Sequence, residues 1–352
     1  MHNTTKILYL VLYLILLAGC TLHSENKSND RDKTEDIATE TETKDDNIEE
    51  SVAVAKSTFV DTMEYDEMMM HMINGDTTGL WPVANDVYPL EGAILPFKRI
   101  VAYYGNLYSK NMGALGEYPP KEMWQMLKDE VAAWQAADPD TPVIPAIHYI
   151  AATAQIGPMR DSTYRMRMPH HQIDSALAIA KMEDAILFLD LQVGHSTVLK
   201  ETHALEKYLK MPHVHLGIDP EFSMKGGHAP GKKIGTFDAD DINITSDYLA
   251  QLVRKHNLPP KILVVHRFTQ GMVTNYQNIK LRPEVQIVMD MDGWGGPALK
   301  YNTYEQYIRK EPVQFTGFKI FYKNDIKPSP HRLLTPKEVM QLKPRPIYIQ
   351  YQ

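Results

Sequence analysis

A single cysteine, Cys20, is all the thiol chemistry this chain possesses. No internal disulfide can form, and a cysteine nucleophile in the folded part is excluded. A basic excess is also missing: 37 Lys and Arg stand against 44 Asp and Glu, a formal net charge of −7. Nucleic-acid-binding domains carry a strong positive surplus, so no nucleic-acid partner is expected. Gly-rich phosphate cradles are absent too. Tyr103-Tyr104-Gly105-Asn106-Leu107 is not the glycine-rich first turn of a dinucleotide-binding sheet. Met224-Lys225-Gly226-Gly227 lacks the spacing of a P-loop. No cofactor is expected, and no metal is assigned to the site in the leading reading.

The N-terminus does carry an apolar stretch, Ile7 to Leu17, preceded by one lysine, Lys6. It falls short of the ~20 residues that a bilayer-spanning helix needs and reads as a secretory signal over residues 1–19. Leu17-Ala18-Gly19-Cys20 resembles the bacterial lipobox, which implies cleavage before Cys20 and lipid on its sulfur. The expected location is therefore the bacterial cell envelope, with the protein anchored to a membrane through Cys20. Residues 20–57 follow as an acidic tether with almost nothing to bury, expected to be disordered. Eleven acids and four bases between residues 21 and 51 equal the whole formal charge of the chain, so the remainder is nearly neutral. Residues 58–99 are expected to pack on the outside or bottom of the domain beyond them. There they would cover surface that a helix after the last strand would cover. Met63, Met68, Met69, Met70 and Met72 read as core filling rather than metal ligands.

From residue 100 to 352, eight apolar, β-branched runs recur: Ile100–Tyr104, Val143–Ile150, Ala185–Leu191, Val214–Ile218, Ile262–His266, Val285–Met291, Gly317–Tyr322 and Pro346–Tyr351. Amphipathic helical patterns fill most intervals. Short strands alternating with helices predict βα units around a parallel sheet, and eight units over about 250 residues predict an α/β fold, a (β/α)8 TIM barrel. Thr335-Pro336-Lys337-Glu338 reads as a capping box with proline at the first helical position, the helix closing before Pro344; Asn302 to Glu305 has the same spacing. Long connections, Ala151–Pro169 and Phe222–Asp240, follow strands and so belong to the C-terminal rim, where barrel enzymes build their sites. They carry Arg160, Arg165, Arg167, Lys225, Lys232 and Lys233, which read as a solvated lid or as cations over an acidic floor.

Polar residues punctuate the strand ends. Side chains two apart on a strand share a face, which pairs Asp190 with Gln192, Asp219 with Glu221, Asp290 with Asp292, and Tyr348 with Gln350. His148 and His266 end the second and fifth runs. If these parities point inward, many polar groups meet in one mouth; otherwise they cap helices and satisfy loop amides. Paired carboxylates suit glycosidic cleavage, one protonated to donate to the leaving oxygen and another stabilising or attacking the oxocarbenium carbon. Glu221 is expected as the acid, Asp219 as its orienting partner, and Asp292 or Asp190 as the second catalytic carboxylate. Gln192, His148, His266, Asp290, Tyr348 and Gln350 are expected to contact substrate, with Trp294 as a platform for a sugar face.

Asp219-Pro220-Glu221 at the end of the fourth run resembles the close of the D-x-x-D-x-D-x-E signature of glycoside hydrolase family 18. Met289-Asp290-Met291-Asp292 is similar to its Met-x-Tyr-Asp run. The resemblance implies a barrel and the roles given to Asp219, Glu221 and Asp292. The departures are Gly217 and Val214 in place of two aspartates, Met291 in place of a tyrosine, and Tyr348 in place of a strand-eight tryptophan. The expected activity is that of an envelope-anchored glycoside hydrolase acting on a glycan. One alternative is a metal-dependent barrel isomerase or hydrolase using Asp190, Glu221, His266 and Asp290. Another is a non-catalytic carbohydrate-binding or envelope-assembly lipoprotein.

Overall fold

The computed structural model describes residues 58–352; the signal segment, Cys20 and the tether lie outside the described residues. Eight parallel strands close into a barrel: β1 (Arg99–Gly105), β2 (Val143–Ala154), β3 (Ile186–Leu191), β4 (Val214–Ile218), β5 (Lys261–Arg267), β6 (Val285–Met291), β7 (Phe315–Ile320) and β8 (Tyr348–Tyr351). Each pairs with its neighbour in sequence, and β1 pairs with both β2 and β8, which closes the ring. All eight expected runs are strands, their starts within two residues of the sequence reading. Among the described residues, no helix is long and apolar enough to cross a membrane.

Both faces of every strand are covered, so two cores form. Odd-numbered residues of β1, such as Val101 and Tyr103, pack outward against helices together with Leu187, Leu216, Val265, Ile287, Phe318 and Ile349. The other parity packs inward: Ile100, Ala102, Ala146, Phe188, Ile262, Val264, Val288, Phe315 and Tyr348. The lower end of this lumen is stoppered by α1 (Thr62–Ile73), which buries Tyr65, Met69 and Met72 among those inward residues. Asp61 caps α1 by accepting from the Met63 and Glu64 amides, and Asn74 ends it in the left-handed conformation. Met63 and Met70, off that stripe, are exposed.

Helix ends mostly obey local chemistry. In α2 (Pro120–Ala137), proline occupies the first turn, where its missing N–H costs nothing, and Met123, Trp124, Leu127 and Trp134 form the buried stripe. The helix Ala239–His256 has a full capping box from Asp238 and Asp241, acids in its first turn and Arg254, Lys255 and His256 in its last. Both match the macrodipole. Thr335 and Glu338 form the expected reciprocal cap, but the helix they start is one turn, Pro336–Val339. The Asn302 to Glu305 spacing is not a cap. Pro297 starts that helix at Gly296, so Asn302 lies inside it.

Candidate functional site

Inward parity carries nearly every polar strand residue of the upper lumen to one place. His148 of β2, Asp190 of β3, His266 of β5, Asp290 of β6 and Tyr348 and Gln350 of β8 are all fully buried there. Above them lie Asp219 and Asp292, still buried, and Glu221, half-buried and open to the mouth. Tyr104 of β1 and Lys319 of β7 join them.

The contacts form a chain across the barrel. Tyr348 Oη lies 2.5 Å from His148 Nδ1 and accepts from Gln350 Nε2 at 2.8 Å. Asp190 Oδ1 stands 3.4 Å from both His148 Nε2 and His266 Nε2, while its Oδ2 accepts from the Tyr104 hydroxyl at 2.8 Å. His266 Nδ1 faces Asp290 at 3.3 Å and Asp292 at 3.2 Å. Lys319 Nζ pairs with Asp292 Oδ1 at 3.0 Å and lies 3.9 Å above the Tyr104 ring. Two glycines make room for this crowd. A Cβ on Gly217 would fall 2.4 Å from Asp190 Oδ1 and 2.5 Å from His148 Nε2, and one on Gly317 would fall 2.5 Å from Asp290 Oδ1. The space beside Gly217 is thus filled by Asp190 from β3, the adjacent strand, and by His148 from β2, one strand further round.

Asp219 acts on the turn that follows β4. Its Oδ1 accepts the Glu221 amide at 3.0 Å and caps the short 3-10 turn Pro220–Phe222, in which proline fixes the first dihedral. That turn aims Glu221 over the lumen. No hydrogen bond holds the Glu221 carboxyl among the described residues.

Electrostatics separates carboxyls of similar type. Burial, reinforced by the negative charge of Asp292, pushes Glu221 up to about 7. Burial also raises Asp219, with Glu221 adding to it, and raises Asp290. Asp292 goes the other way: burial opposes its charge, but Lys319 and His266 outweigh burial and hold it below the usual carboxylate range. Asp190 is likewise held well down despite burial, chiefly by His266 and then His148. His266, pulled by Asp190, stays positive against its own burial, whereas burial drops His148 to about 4. An acid that keeps its proton near neutrality thus sits beside an ionised carboxylate. That combination serves acid/base chemistry.

Of the residues expected to touch substrate, His148, His266, Asp290, Tyr348 and Gln350 lie beneath the carboxylates with no exposed surface. Gln192 uses its Oε1 to accept the Ala154 amide at 3.0 Å, pinning β3 to β2. Trp294 is 42% exposed on the loop after β6. Three of the six rim cations are engaged in ion pairs. Arg165 and Arg167 both bind the buried Glu201, and Lys225 pairs with Asp241. Arg165 and Arg167 anchor a hairpin, since residues Arg165–Arg167 run antiparallel to the end of β2.

Sequence reasoning missed Lys319 and Tyr104. A signal existed for Lys319, a lone cation two residues beyond Gly317 in the otherwise uncharged strand Phe315–Ile320. Tyr104 shares parity with Ile100 and Ala102 but is indistinguishable in type from outward-facing Tyr103. No protein-family model matches the chain, and no curated protein does.

Proposed function

We propose that this protein is an envelope-anchored hydrolase of glycosidic bonds, with Glu221 as general acid and Asp292 as the ionised carboxylate facing the reacting carbon. The observation that carries the reading is the divergence of two neighbouring carboxyls: Glu221 raised to about 7 at the solvent-facing edge, Asp292 held down by Lys319 and His266. Glycoside cleavage needs this division of labour, a proton for the leaving oxygen and negative charge for the oxocarbenium-like carbon. Asp219 positions Glu221 through the backbone amide. Asp190 lies deeper and shares its charge with two histidines, so Asp292 is the better second carboxylate. Trp294 supplies an exposed ring beside the mouth, suited to stacking on a sugar face. The (β/α)8 barrel and the Asp219-Pro220-Glu221 turn support kinship with family 18 chemistry, without the tyrosine that assists N-acetyl participation there. A membrane anchor at Cys20 accompanies this reading.

The test compares wild type, Glu221→Gln and Asp292→Asn on unactivated glycans and on aryl glycosides with good leaving groups. Loss of general acid catalysis lowers the rate ~10²–10⁴-fold on the unactivated substrates. Activated substrates are partly spared in Glu221→Gln, but not in Asp292→Asn. Because the acid must be protonated, wild-type activity falls as pH rises through about 7. Full activity of Glu221→Gln on an unactivated glycan would remove it from the acid role.

A further inference from the structure

Beneath the acid/base pair, three donor atoms converge without hydrogen-bond partners: His148 Nε2, His266 Nε2 and Asp190 Oδ1, all on fully buried side chains. They lie within 4.8 Å of one another. Both nitrogen-to-oxygen distances are 3.4 Å. That is too long for charge-assisted N–H···O bonds, which run ~2.7–2.9 Å. It is, however, the edge expected when donors sit at tetrahedral angles on one ion with bonds of about 2.0–2.2 Å, which places them roughly 3.3–3.5 Å apart. We propose that His148, His266 and Asp190 form a binding site for a divalent first-row metal ion of the zinc class, seated in the barrel lumen under Glu221 and Asp292.

The surroundings fit such a site. Two of the three ligands are held on their far side, His148 Nδ1 by the Tyr348 hydroxyl and the second oxygen of Asp190 by Tyr104, while His266 Nδ1 faces Asp290 at 3.3 Å and Asp292 at 3.2 Å. Carboxylate or hydroxyl support of the non-ligating atom is the usual way of fixing a metal-binding imidazole. The wall beside His148 and Asp190 is the bare backbone of Gly217. Two imidazoles and one carboxylate favour zinc and its neighbours over magnesium or calcium, which prefer all-oxygen sets. Three protein ligands leave a fourth position for water or a substrate oxygen. Metal binding displaces the proton of His266 Nε2 and puts the ion's own positive charge in its place, so Asp292 still has a cation beside it. Metal content is measured without any substrate, so this proposal can fail separately from the acid/base reading.

The full-length protein is purified without chelator, and its zinc, manganese, iron, cobalt and nickel are measured by mass spectrometry. About one equivalent of metal per chain is expected. Zinc added to chelator-treated protein raises the melting temperature, and cobalt added in its place gives the intense visible bands of tetrahedral nitrogen–oxygen ligation. His148→Gln and Asp190→Asn each lower metal content at least tenfold. Should those variants not fold, the wild-type cobalt spectrum alone decides. The proposal is overturned if the wild type binds neither zinc nor cobalt at micromolar concentration. An octahedral cobalt spectrum overturns it as well. So does full metal content in both folded variants, which would move the ion elsewhere, for instance to His71, Asp138 and Asp140.

Discussion

Glutamine at position 221 keeps the shape of the side chain while removing both its proton and its titration, so one substitution reads out stability as well as catalysis. The folded-state pKa of Glu221, about 7, lies above its ordinary value of 4.5 because burial and Asp292 favour the neutral form. A group raised on folding contributes stability that is complete below the unfolded value and is lost as pH climbs through the folded one. Wild type and Glu221→Gln are therefore expected to have similar unfolding free energies near pH 4, with the variant the more stable at pH 8. Urea titrations at several pH values measure this. A difference of the opposite sign at pH 8 would mean that the ionised carboxylate makes a favourable contact. Asp292 and Asp190 carry the reverse linkage, since their folded values are depressed. Their contributions are present at neutral pH and are lost on acidification. Lys319 matters for the same reason: a buried ion pair broken on one side leaves an unpaired charge, at a cost of about 3–5 kcal/mol.

At the scale of elements, the site depends on strands that give up side chains as much as on those that contribute them. β4 passes the lumen at Gly217, where any Cβ would meet Asp190 and His148 at less than van der Waals distance. Both neighbours are held on their far sides by Tyr104 and Tyr348 and have little room to withdraw. Gly217→Ala should thus cost about 1–3 kcal/mol, as overpacking does, and should also impair catalysis by displacing Asp190. The fall in urea midpoint without a change in slope checks the first part. An unchanged midpoint would show that the lumen is looser than these contacts imply. The turn after β4 works differently. Pro220 and the Asp219 cap set the direction of Glu221 locally, so this part of the site is built within one short segment.

At the scale of the whole molecule, the barrel mouth and the proposed anchor lie at different points of the chain and can be separated by one change. Cys20 is the only sulfur nucleophile available for lipid, so Cys20→Ser should abolish fatty-acid labelling and leave soluble or uncleaved protein. Labelling that persists in Cys20→Ser would refute the anchor. The eight-stranded architecture was legible in the sequence because strands buried on both faces require near-continuous apolar runs, and Pro, Gly and capping residues mark their ends. That Asp290 and Asp292 share a face was legible as well, since a strand alternates faces at every residue, though not that this face points inward. What these carboxyls do was not. The partner of Asp292 is Lys319 from the next strand, and that of Asp190 is Tyr104 from two strands away. Asp190 and Asp290 both stand near the end of a largely apolar run, yet one is held ionised and the other driven toward its neutral form. Arg165 and Arg167 read as free rim cations until the fold supplied Glu201. Local periodicity determines which face a residue occupies. Charge state and contact depend on which other faces close over it, and only the closed barrel decides that.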